Sequence, residues 1–136
     1  MLIIVNWFIL IMLLVWFAIV VIGLTIKNIV IAEKGYDLIT IAWLVLFVGC
    51  VASYFFAPSI GQFVTVGFQL VWIVMQSLNF IRPTPRKVAN YNKVFRSSHH
   101  IIPPSDKYVI PDTAHLILLS LLVLSFVFML LNIFIG

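Results

Sequence analysis

The sequence predicts an all-α integral membrane protein: a four-transmembrane-helix bundle with a short outer hairpin and a cytoplasmic loop of about 34 residues. Three observations predict it. The chain is 64% apolar and 9% charged, with a mean hydropathy of +1.23, whereas soluble domains carry roughly 45–50% apolar and about 25% charged residues. Four apolar runs free of charge are each long enough to cross a hydrocarbon core of ~30 Å. All eight Lys and Arg fall in two of the connecting segments. With 136 residues, the chain is expected to form one membrane domain, 1–136.

The first span is expected over residues 2–26, continuing as helix toward Lys34 and stopping at Gly35, a favourable C′ residue. No basic segment precedes it and no small-residue cleavage site follows, so it reads as a retained span rather than a secretory signal. The second span covers 38–57, with Asp37 as its N-cap. Pro58 then disfavours helix at Ala57. A single helix over 38–81 would be about 65 Å long, twice the bilayer core, so a tight hairpin is expected there. The third span covers 60–81, with Ser59 and Gln62 spaced as a capping box. The fourth covers 116–136 and follows Pro111-Asp112-Thr113, with Asp112 as N-cap.

Orientation follows from the cations. Lys27 and Lys34 lie between the first two spans; Arg82, Arg86, Lys87, Lys93, Arg96 and Lys107 lie between the last two. Four spans put both segments on one face, and the positive-inside rule makes that face cytoplasmic, with both termini outside. A three-span arrangement would split the two basic segments. The expected location is a multi-pass protein of a prokaryotic cytoplasmic membrane. Trp7, Tyr54 and Phe55 fall near the outer boundary and Tyr36 and Trp43 near the inner one, whereas Trp16 and Trp72 read as mid-span packing residues.

Much chemistry is argued against. No Asp, Glu, Lys, Arg or His falls in the four expected spans, which disfavours a proton-coupled transporter or a haem-binding bundle. Phosphate-loop, nucleophile-elbow and zinc-protease motifs are missing. The single Cys50 cannot form an intrachain disulfide and reads as a packed or lipid-facing residue. His99 and His100, with Asp106, Asp112 and His115 further on, lack metal-ligand spacing, and the histidines read as solvated loop residues. No metal, no cofactor and no nucleic-acid partner are expected, the net charge of +4 being mainly topological.

Two features remain. Gln62, Gln69 and Gln76 recur every seven residues on the third span, with Thr65 on nearly the same face. Buried amides need partners. Depth matching against the antiparallel fourth span pairs Gln69 with Ser125 and Gln76 with Ser120. The stripe reads as helix packing; the alternative is a pore lining. In the second feature, the long loop leaves the membrane extended at Arg82-Pro83-Thr84-Pro85. Val88, Tyr91 and Phe95 then mark a short interfacial helix, with Arg82, Arg86, Lys87, Lys93 and Arg96 for lipid phosphates or a partner. An irregular loop is the alternative. The apolar, Pro-rich segment 101–111 is expected to lie ordered against a neighbouring subunit or the membrane surface.

Gly49, Ala52, Ser53, Gly61 and Gly67 are expected to permit close helix approach. Together these readings point to a non-catalytic membrane subunit, a scaffold, anchor or accessory component of a homo- or hetero-oligomeric complex whose partners are the bilayer and other membrane subunits. A small oligomeric pore is the second expectation. A membrane-surface enzyme using His99, His100 and Asp106 is the third.

Overall fold

The computed structural model describes residues 1–32, 38–81 and 84–136. Among these, five helices and one β-hairpin occur in the order α1 (Leu2–Ile22), β1 (Leu24–Ile26), β2 (Ile29–Ala32), α2 (Leu38–Phe56), α3 (Pro58–Ile81), α4 (Pro85–Phe95) and α5 (Thr113–Phe134). Four of them, α1, α2, α3 and α5, are long and apolar enough to cross a membrane. The chain is a multi-pass membrane protein on this measure.

The spanning helices close a ring in which α1 packs on α5 and α2, and α3 packs on α2 and α5. The tight α2–α3 connection makes that pair antiparallel, and the contacts Asn6–Met129 and Trp16–Ala114 show that α1 and α5 also run antiparallel. The interior is apolar and aromatic. Leu10, Leu13, Phe47 and Leu122 are fully buried, and Trp72 meets Phe17 at a centroid distance of 4.7 Å and Phe47 at 5.5 Å. Large apolar residues such as Ile4, Val45, Phe63 and Val71 point outward on the same helices. A helix apolar on all sides is stable only where the surroundings are also apolar.

The sharpest correction concerns the first span. It ends at Ile22, not at residue 26 or beyond, because Gly23 adopts φ 95° and donates its N–H to the Ile19 carbonyl. The chain then reverses as an antiparallel hairpin about Lys27 (φ 49°) and Asn28 (φ 66°). Two consecutive positive φ values give the turn whose twist suits a hairpin, and Asn tolerates that region. The flanking Thr25, Ile26, Ile29, Val30 and Ile31 are β-branched and favour strand. The expected stop at Gly35 and the Asp37 cap lie outside the described residues.

At the opposite end Ala57 alone separates α2 from α3. Pro58 occupies the first helical position, where its missing N–H costs nothing. Ser59 therefore lies inside α3 and cannot be its N-cap, so the expected capping box with Gln62 does not form. The hairpin is tight because Gly61 lies against α2: a Cβ built there would come within 2.3 Å of Ser53 and Tyr54 backbone atoms. Gly49 and Gly67 differ. Among the described residues a Cβ at either meets nothing within 4 Å, so neither serves a close approach between helices within this chain.

The last helix begins at Thr113 rather than 116, capped by Asp112. His115 thus belongs to its first turn. Trp16 is not mid-span either: its Nε1 donates to the Ala114 carbonyl at 2.9 Å, where α5 starts.

Candidate functional site

Residue polarity divides the bundle into a neutral end, a polar seam and a basic end. Within the seam, Gln69 Nε2 donates to Ser125 Oγ at 2.8 Å, and both residues are fully buried between α3 and α5. Thr65 is also fully buried. Its hydroxyl lies 2.7 Å from the Gly61 carbonyl and 3.1 Å from that of Cys50, tying α3 to α2. Cys50 is buried in this seam as a free thiol. The structure does not bring Gln76 to Ser120. Ser120 is exposed and donates back to the Leu116 carbonyl at 2.8 Å, the common way for a helical Ser to satisfy itself. Gln76 is half-buried and lines a crevice near the basic end. Gln62 lies at the neutral end, beside Asn132.

Sequence reasoning passed over Asn6. It is fully buried on α1, and its Nδ2 donates to Tyr54 Oη at 3.2 Å and approaches Met129 Sδ at 3.1 Å. Asn132 Nδ2 reaches the same Tyr54 oxygen at 3.4 Å. Tyr54 also stacks on Trp7 at 4.5 Å, nearly parallel. A lone amide in each of two apolar runs was the available signal, since an amide in hydrocarbon needs a partner.

The basic end is organised around Asp112, which is fully buried. One carboxylate oxygen accepts from the His115 backbone N–H at 2.9 Å and meets His115 Nδ1 at 2.6 Å. The other accepts from Ser98 Oγ at 2.6 Å. Burial alone would raise this carboxyl. The hydrogen bond and charge of His115, with the Ser98 hydroxyl and the His115 amide, outweigh burial and hold it below the usual carboxylate range. The Asp112 N–H donates to Tyr91 Oη at 3.2 Å. Burial first, then the nearby Asp112 charge, push the Tyr91 phenol upward, so it stays protonated. Tyr91 and Phe95 flank the His115 ring at 5.9 and 4.7 Å.

This hub docks α4 onto the end of the bundle. Thr84 caps α4 by accepting from the Lys87 N–H at 3.2 Å, with Pro85 at the first position. The sequence pattern Val88, Tyr91, Phe95 is the inward face, with Val88 buried. Arg86, Lys87, Lys93 and Arg96 are exposed, while Arg82 lies outside the described residues. Arg96 makes an exposed pair with Asp106 at 3.7 Å, a contact worth little in water. The segment after α4 continues the hairpin: the His99 N–H donates to the Val30 carbonyl at 2.6 Å, and the Thr113 N–H to the His99 carbonyl at 2.8 Å.

Asp112 is the expected N-cap, and His115, expected to be solvated, is instead half-buried against it, while the remaining two histidines diverge. His99 Nδ1 meets Thr113 Oγ1 at 2.6 Å, and His100 Nδ1 meets the Ser98 carbonyl at 2.8 Å. Ile101, Ile102 and Tyr108 in the following segment are exposed.

Comparison with protein-family models, with curated proteins and with solved structures finds no match for this chain.

Proposed function

We propose that the chain is a non-catalytic integral membrane subunit, a scaffold, anchor or accessory component of a larger membrane assembly. Its basic end would face the cytoplasm and both termini the far side, in a prokaryotic cytoplasmic membrane. The observation that carries this reading is how the polar groups of the spans are used. Thr65, Gln69, Ser125 and Asn6 are fully buried and bonded within one chain, while the lateral surface is apolar. Such a bundle offers its neighbours packing surface. Among the described residues, those outside the spans form the β1–β2 hairpin, α4 and the segment leading to Asp112.

Exposed Arg86, Lys87, Lys93 and Arg96 on and just beyond α4 suit anionic headgroups or an acidic partner, with Arg82 as a further candidate. The pore reading requires the stripe to face a conduit. Burial of Thr65 and Gln69 inside a single bundle favours packing over that role.

Purification in mild detergent tests the proposal. A stoichiometric complex with one or more membrane proteins is the expected outcome. A monomer in native membranes after cross-linking, or ion conductance abolished by Gln69→Leu with Gln76→Leu, would overturn it. Labelling of cysteines placed at Asn28 and Asn90 from the same side of the membrane checks the orientation.

A further inference from the structure

Between α1, α2, α3 and α5, near the basic end, lies a crevice of about 160 Å³. One part of its wall is aromatic, formed by Phe17, Trp43 and Trp72; another is polar, formed by Gln76, Asn79 and His115. It reaches the apolar flank of the bundle, because the lining residues Ile39 and Met75 are 75% and 48% exposed.

Three features define what fits. First, the Trp43 indole N–H is buried and has no acceptor among the described residues. Buried donors are nearly always paired, so this one is available to an incoming acceptor. Second, His115 Nδ1 is committed to Asp112 at 2.6 Å, which fixes the orientation of the ring in the crevice wall. Third, no Lys or Arg is among the described lining residues and the His115 ring is already paired with Asp112, so a phosphate or carboxylate would find no free cation. The size is also restrictive, since an apolar cavity of about 150 Å³ admits one benzene ring.

We propose that this crevice binds the ring of a membrane-soluble quinone: a single planar, uncharged ring carrying carbonyl acceptors. The ring packs on Trp43 and Trp72, one carbonyl accepts from Trp43 Nε1–H, and the tail leaves past Ile39 and Met75 into lipid. The inference concerns binding alone and involves no electron transfer. It goes beyond the subunit reading and does not depend on it.

Calorimetric titration of the detergent-solubilised protein with a decyl-substituted benzoquinone tests this. Saturable heat is expected. Trp43→Phe, which keeps an aromatic ring but removes the donor, weakens binding about three- to tenfold, the scale of one lost hydrogen bond. Met75→Trp, which fills the crevice, abolishes saturable binding. Trp7→Phe, at the neutral end, leaves it unchanged. Decylbenzene, which lacks the carbonyls, competes at least about tenfold more weakly. Three results overturn the proposal: heat that rises without saturation, as for partition into micelles; equal competition by decylbenzene, the behaviour of a lipid-chain slot; or saturable binding that survives both Trp43→Phe and Met75→Trp.

Discussion

The two ends of the bundle are closed by different physics. At the neutral end α2 turns into α3 across one residue, and closure is steric: Gly61 lies against the Ser53–Tyr54 backbone, and Trp7 stacks on Tyr54. At the basic end closure is polar. A buried carboxylate gathers Ser98, His115 and the first turn of α5, and Tyr91 bonds to its backbone. Steric closure depends on the absence of atoms, whereas polar closure depends on every donor keeping its acceptor. The ends should therefore respond to different perturbations.

Asp112→Ala gives the largest effect. It removes an N-cap, worth ~1 kcal/mol, and leaves buried donors of Ser98 and His115 unpaired at about 1–3 kcal/mol. A loss of roughly 3 kcal/mol is expected, measured by denaturant unfolding in mixed micelles, with α4 and 98–100 becoming protease-sensitive first. Asp112→Asn keeps the cap and loses less. Acid mimics this change. Because the folded-state carboxyl is held below its usual value, its contribution is fully present above the unfolded pKa near ~3.9 and is lost as pH falls through the lower folded value. Unfolding of wild type should therefore steepen below pH ~4, and that component should vanish in Asp112→Asn. An unchanged pH profile in the variant would remove Asp112 as the hub.

Gly61→Ala tests the other end. The added Cβ meets backbone, which cannot rotate away, so α2 and α3 must separate. Overpacking of this kind costs about 1–3 kcal/mol, and a position near the upper limit is expected from the 2.3 Å approach. The loss should be independent of pH, which separates steric from polar closure in one experiment.

The seam between the ends gives a smaller effect. Ser125→Ala removes the partner of Gln69 Nε2, and interhelical bonds in membranes average about 0.6 kcal/mol with a maximum near 1.7. Gln69→Leu should cost less than that pair energy suggests, since Gln69 Oε1 is already buried without a partner among the described residues and the change removes it. A double-mutant cycle over the two residues measures the coupling. A value indistinguishable from zero would sever the contact from stability.

The same contrast explains how much was legible in the sequence. Hydropathy read the four spans because burial in lipid is summed over some twenty residues and survives local error. The Gln69–Ser125 pairing followed from depth matching of antiparallel helices, and α4 from the spacing of Val88, Tyr91 and Phe95. The Lys27–Asn28 reversal was hidden because its strands are as apolar as the helix before them; hydropathy does not separate Thr25–Ile26 and Ile29–Ile31 from a continuing span. Gly23 and the β-branched run were the local signals. Asp112 was legible as a cap, but its partners Ser98 and Tyr91 come from 14 and 21 residues away, and no periodicity links them. Gln76 and Ser120 failed to pair because matching depth does not fix which face a residue presents.

The smallest expected effects come from Gly49 and Gly67, and they sharpen the steric side of the contrast. Both are mid-helix, and among the described residues a Cβ at either meets nothing within 4 Å. In water Gly→Ala at such a site stabilises a helix by about 0.5–1 kcal/mol through the unfolded chain's entropy. Helical structure retained by the unfolded chain in micelles reduces that gain, so Gly67→Ala should shift stability by at most about 0.5 kcal/mol, in the stabilising direction. Gly49→Ala should behave alike in the isolated chain. If either glycine meets another subunit, the same substitution, silent in the isolated protein, should weaken the assembly during detergent dilution. A destabilised assembly around an unperturbed monomer would place the interface on that helix face, whereas an unperturbed assembly would move the search to other faces of the bundle.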